Sequence, residues 1–185
     1  MKYFSIEDWK TWEPWDRIQE DKKRYYDYVD SIRHKLPLDL RLLCDFSPGW
    51  NAQRISLNDS QVFEVTASFE AQTLTIVLNG KYTDKDARQL GLRRFFLNYK
   101  NVTLFRVKEG VTTACNPGPE ADPQDVSPLV HGAYGIAFDD HGWDEIERIE
   151  GDLFEHRMLF SSGTETLVRF RDFTLEYMNM PHVSA

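Results

Sequence analysis

The sequence predicts an α+β domain, with N-terminal helices followed by a mostly antiparallel sheet of about eight strands, arranged as a meander or a partly open barrel. Two changes of pattern carry this expectation. Up to residue 36 the apolar residues recur at steps of three and four; after residue 50 they alternate with polar ones. Turn dipeptides then punctuate the alternating runs. The chain reads as a single domain over residues 1–185, helical over 1–46, sheet over 50–108 and 130–180, with a long Pro-rich loop at 109–129.

Ser5 followed by Asp8 is a capping-box-like helix start. Pro14 suits the first turn of a second helix, where its missing N–H costs nothing. From there Trp15, Ile18, Tyr25, Val29, Ile32 and Leu36 form one apolar stripe, with Lys22 in the polar gap. The opposite face carries Asp16, Arg17, Glu20, Lys23 and Asp27, a solvated surface. Pro37 ends this helix, Leu38–Leu43 forms a short further turn, and Ser47-Pro48-Gly49 is a break.

In the sheet region, Ile55 and Leu57, then Val62, Val65 and Phe69, then Leu74, Ile76 and Leu78 mark strands. Asn79-Gly80 predicts a two-residue hairpin, because both positions of a type I′ turn need positive φ. Residues 83–91 read as a loop or one helical turn. Phe95 to Leu104 reads as one strand with a bulge near Asn101. Residues 109–128 hold four of the eight prolines and no apolar period, and read as disordered. Toward the C-terminus Tyr134, Ile136 and Phe138 alternate. Trp143, Ile146 and Ile149 begin a strand, and Phe154, His156, Met158 and Phe160 share one face of the next. Ser161-Ser162-Gly163 closes a hairpin onto Leu167, Phe170, Phe173 and Leu175.

Charge is segregated. Residues 81–108 carry 8 basic and 2 acidic side chains, whereas residues 109–155 carry 1 and 12; the whole chain is net −8. An acidic chain repels phosphate polymers and anionic membrane surfaces, so neither is an expected partner. No stretch approaches the roughly 18 apolar residues of a membrane span. The N-terminus lacks a signal-peptide pattern, which predicts a cytoplasmic protein. Cys44 and Cys115 have no metal-ligand spacing and are expected to be thiols.

The window His131–His156 is where chemistry could reside. It holds His131, His141 and His156 beside Asp139, Asp140, Asp144 and Glu145, residue types that suit a divalent-metal shell or acid–base work. The same acids suit turns and solvated strand faces, and Asp139-Asp140-His141-Gly142 has the composition of a β-turn. Neither HxH nor HExxH occurs, and GxSxG, GxGxxG and phosphate-loop motifs are absent. Trp9, Trp12 and Trp15 read as core packing or a partner anchor. Lys85, Arg88, Arg93, Arg94 and Lys100, interleaved with Phe95, Phe96 and Tyr99, read as a solvated face or an anion-binding strip.

The opening Met1-Lys2-Tyr3-Phe4 with the following Trp9 resembles that of bacterial proteins of unknown function which begin MKYF with an early Trp. Leu57-Asn58-Asp59-Ser60-Gln61-Val62, leading into Leu74-Thr75-Ile76-Val77-Leu78, is similar to their "LHDS.V … L.L.L" hairpin. Glu155-His156-Arg157-Met158-Leu159-Phe160 through Phe170-Arg171-Asp172-Phe173 is similar to their "EH.ILF..G.E....F.D." ending. Where that pattern often has His-Asp, this chain has Asn58-Asp59, so any chemistry of that His is missing. The resemblance implies the fold and a bacterial origin. By analogy with small acidic α+β proteins it also implies an immunity-type role.

The function expected from the sequence is therefore a non-catalytic protein-binding module, immunity-type, that uses no cofactor. Its acidic surface, Asp122, Asp125, Asp139, Asp140 and Asp144, would meet a basic partner. The alternative is a metal-dependent or acid–base hydrolase built on His131, His141, Asp139 and Asp140. A third reading is a structural subunit that associates through its tryptophans. Identity of the partner and oligomeric state are not legible in the sequence.

Overall fold

A computed structural model describes residues 2–4, 15–44, 57, 60–83, 90–108, 130–131, 137–138, 141–160 and 163–180. The α+β expectation holds in its coarse form: a few helices precede a molecule that is mostly antiparallel sheet, and it is not a closed barrel.

Helix α1 (Trp15–Ile32) follows from the apolar stripe. Ile18, Tyr25, Val29 and Ile32 are buried, while Lys23–Asp27 and Asp21–Arg24 pair across its exposed side. The Trp15 side chain and the proposed cap at residues 5–14, with Trp9 and Trp12, lie outside the described residues. A 3₁₀ turn (Arg33–Lys35) and Pro37 separate α1 from helix α2 (Leu38–Leu43), which buries Leu40 and Leu43. No described helix is long and apolar enough to cross a membrane.

The strands form two four-stranded sheets rather than one. Sheet A has the order β1 (Gln61–Ser68), β2 (Thr73–Thr83), β3 (Leu90–Lys100), β10 (Asp172–Asn179). Sheet B has the order β4 (Leu104–Lys108), β9 (Glu165–Phe170), β8 (Leu153–Phe160), β7 (His141–Glu150). A further short pair joins β5 (Val130–His131) to β6 (Ala137–Phe138).

The single expected sheet is divided at one corner, where two chain crossings lie side by side. Asn101 takes φ 52° between β3 and β4, so the predicted bulge is a turn out of sheet A. Arg171 lies between β9 and β10, and its N–H donates to the Lys100 carbonyl while the Thr103 N–H donates to the Arg169 carbonyl. The Asn101 amide also donates to Asp172. Period-two alternation is blind to such a corner, because both segments are strands on either side of it.

The Asn79-Gly80 hairpin expectation is also corrected. Both residues lie within β2, opposite Arg94 and Arg93 of β3. The turn between β1 and β2 is at 69–72, closed by Gln72 at φ 53°. Gly80 is required by packing instead: a Cβ there would lie 2.5 Å from Ser60 Oγ and 2.9 Å from Phe95 Cε2.

One hydrophobic cluster joins the inward faces of both sheets to the helices. Phe154, His156, Met158 and Phe160 do share a buried face, as expected. On β9 the inward residues are Val168 and Phe170, and Leu167 takes the opposite face. Register irregularities near Gly142 and Ile149 leave Ile146 inside and Ile149 exposed.

The helices also protect two sheet edges. The Tyr25 hydroxyl accepts the Ile146 N–H at 2.7 Å and the Tyr28 hydroxyl accepts the Arg148 N–H at 2.9 Å, both on β7. Asp39 of α2 accepts the Leu175 N–H of β10 at 3.0 Å. Each bond satisfies a strand group that would otherwise be an open template for pairing.

Candidate functional site

The structure separates the members of the His131–His156 window. Asp122, Asp125, Asp139 and Asp140 lie outside the described residues. His131 and His141 fall on β5 and at the start of β7, with side chains outside the description. Asp144 and His156 do come together, in the core. Asp144 pairs in register with Met158 on the inward face of β7 and β8, and its side chain is only 13% exposed. It is therefore not part of an outward acidic surface. Among the described residues no group of three or more His, Cys, Asp and Glu side chains could hold a metal ion.

Three strands build this inner cluster. Tyr99 comes from β3 of sheet A, His156 from β8 and Asp144 from β7 of sheet B. The Tyr99 hydroxyl lies 2.7 Å from His156 Nδ1, and Asp144 Oδ2 lies 3.7 Å from His156 Nε2. Burial pushes the Tyr99 phenol well above its ordinary 10.0, and the Asp144 charge adds to this. The phenol thus keeps its proton. It shares a hydrogen bond with Nδ1, and Asp144 Oδ2 lies beyond hydrogen-bonding distance of Nε2.

The order hydroxyl, imidazole, carboxylate is that of a nucleophilic triad. The environment is the opposite of one. Tyr99 and His156 are both 0% exposed, and the cleft in the described surface opens elsewhere. A phenol whose ionisation is suppressed is not an activated nucleophile. Tyr99 also packs edge-on against Phe170 at 5.0 Å, and Phe173 lies at 5.2 Å. The cluster acts as a polar fastener between the two sheets.

The basic strip does not converge either. Adjacent residues of a strand face opposite ways. Arg93 is buried, its guanidinium 4.4 Å from the Tyr177 ring centroid, and its Nε donates to Asn179. Arg94 lies on the other face, over the Phe63 ring, and donates to Asn79. Lys100 is exposed, and Lys85 and Arg88 lie outside the described residues. Cys44 is a buried thiol; Cys115 is outside the description.

What the sequence reading missed is the outer face of sheet B. Glu145 and Glu147 on β7, Glu155 and Arg157 on β8, Arg169 and Leu167 on β9, and Arg106 and Lys108 on β4 all share it. Glu155 is 1% exposed yet fully answered, by Arg157 and by Arg169 at 2.7 Å. Glu145 is 2% exposed and gathers the start of the chain, accepting the backbone N–H groups of Lys2 at 2.8 Å, Tyr3 at 2.7 Å and Phe4 at 2.9 Å. Phe4 then packs against Trp143, its ring tilted at a centroid distance of 4.8 Å. Charges two residues apart along three successive strands were the available signal, and they read as an ordinary solvated face.

No protein-family model matches this chain, and no curated protein matches it either.

Proposed function

We propose that this protein is a non-catalytic module that binds another protein. The observation that supports this is the sealing of four acid–base groups. Tyr99, His156, Glu145 and Glu155 are all nearly or wholly buried and committed to partners within the chain. Such groups hold strands and the N-terminal segment in place; they have no room to meet a substrate. The expectation of an acidic surface facing a basic partner now rests on Asp122, Asp125, Asp139 and Asp140, since Asp144 is turned inward.

Elemental analysis of the purified protein, with His131→Ala and His141→Ala alongside, tests the reading against a hydrolase. Binding without chemistry gives a sub-stoichiometric metal content that neither substitution changes. A full equivalent of zinc or manganese, lost on replacing those histidines, overturns it.

A further inference from the structure

We propose that edge strand β4 binds an extended acidic segment of a partner protein, which joins sheet B as an added strand. The inference rests on the binding-module reading and adds a second contact, with an acidic segment, separate from the acidic surface at Asp122, Asp125, Asp139 and Asp140. It begins with the unequal treatment of sheet edges. Tyr25 and Tyr28 of α1 answer N–H groups of β7, and Asp39 of α2 answers β10. Strands β1 and β4 end sheets A and B, and among the described residues no further strand pairs with either; of the two, only β4 carries cationic side chains. An edge of this kind offers alternate N–H and C=O groups to another backbone.

The side chains of β4 state what that backbone should carry. Arg106 and Lys108 stand two residues apart on the outer face, opposite Leu167 and Glu165 of β9. They open onto a cleft of about 440 Å³ that Lys2, Arg157 and one carboxylate, Glu165, also line. Not all of this charge is available. Arg157 is engaged by Glu145, Glu147 and Glu155, and Lys2 by Glu147. Lys108 meets Glu165 at 3.3 Å with 73% of its side chain exposed, a pair that contributes little. Arg106 is exposed and has no acidic partner among the described residues. The positive charge least answered within the chain therefore lies on the edge strand itself, on Arg106 and on the weakly paired Lys108, at the spacing of successive same-face residues. A partner strand with carboxylates at every second position places one against Arg106 and the next against Lys108, forming opposite-charge cross-strand pairs.

One further point selects a polypeptide over a phosphate polymer. Backbone groups of a strand edge are answered in register only by another backbone.

The test uses the full-length protein and a fluorescent peptide that alternates glutamate with valine. Controls are the same peptide with glutamine for glutamate, the same peptide with proline at alternate positions, and a single-stranded oligonucleotide. Fluorescence anisotropy should detect binding of the glutamate peptide alone, weakening as salt rises. The double variant Arg106→Gln with Lys108→Gln, whose side chains are exposed, should keep a melting curve close to the parental one and lose about tenfold or more in affinity. Lys108→Gln alone should give an intermediate loss if the double variant proves unstable. Equal binding of the glutamine or proline peptide, tighter binding of the oligonucleotide, or unchanged affinity in the charge variants overturns the proposal. Failure here, with metal content still sub-stoichiometric, leaves the binding-module reading intact. A stoichiometric histidine-held metal removes that reading whatever the peptide does.

Discussion

The Tyr99 hydroxyl and His156 Nδ1 share a hydrogen bond of 2.7 Å that spans the interior from one sheet to the other. Around it the contacts are mostly aromatic and aliphatic, so this polar bond gives a direction to the packing of one sheet on the other.

Tyr99→Phe removes the hydroxyl and leaves a buried imidazole nitrogen without its hydrogen-bond partner. The expected loss is about 1–3 kcal/mol in chemical denaturation, with the native circular dichroism spectrum retained. A change too small to resolve would mean that the bond does not fasten the sheets.

Alkali should unfold the protein through its tyrosines. Burial holds the Tyr25 and Tyr99 phenols well above their ordinary 10.0, and Tyr26 and Tyr28 are raised for the same principal reason. Above pH of about 10 the unfolded chain releases these protons while the folded chain keeps them, so the unfolded state binds fewer protons and stability falls as pH rises. Below that pH the contribution is fully present. Phenolate absorbance from these residues should appear together with the loss of secondary structure. Complete ionisation in a protein that remains folded would contradict the burial described.

Gly80→Ala should destabilise, although alanine is ordinarily the better strand residue by roughly 0.5–1 kcal/mol. The new Cβ would meet Ser60 Oγ and the buried Phe95 ring at distances that force movement. Overpacking of this kind costs about 1–3 kcal/mol. A stabilised variant would mean that Ser60 and Phe95 do not close on Gly80 as described.

That glycine also shows where the sequence was legible. The α1 stripe, the short helix at Leu38–Leu43 and the buried face of β8 follow from periodicity alone, and the structure has all three. Asn79-Gly80 was misread because its turn preference is local, whereas its role is to admit Ser60 and Phe95 at close range. The division into two sheets was hidden because Asn101 and Arg171 interrupt strands that are far apart in sequence and adjacent in space. The inner cluster was half visible. His156 and Asp144 stood in the window singled out for chemistry, but their shared partner, Tyr99, is 57 residues away from His156 on a strand of the other sheet. The charged face of sheet B needed the strand register before Glu145, Arg157 and Arg106 could be seen to share one row.

The central claim is that the tyrosine–histidine–aspartate cluster is a sealed fastener and not a reactive centre. Residue-resolved modification of histidines with diethyl pyrocarbonate, read by mass spectrometry, measures this directly. His34, exposed beyond the end of α1, serves as the internal reference. In the native protein His34 should react and His156 should remain unmodified until denaturant unfolds the chain. Native modification of His156 at a rate comparable to that of His34 would show an open path to the cluster and contradict the account.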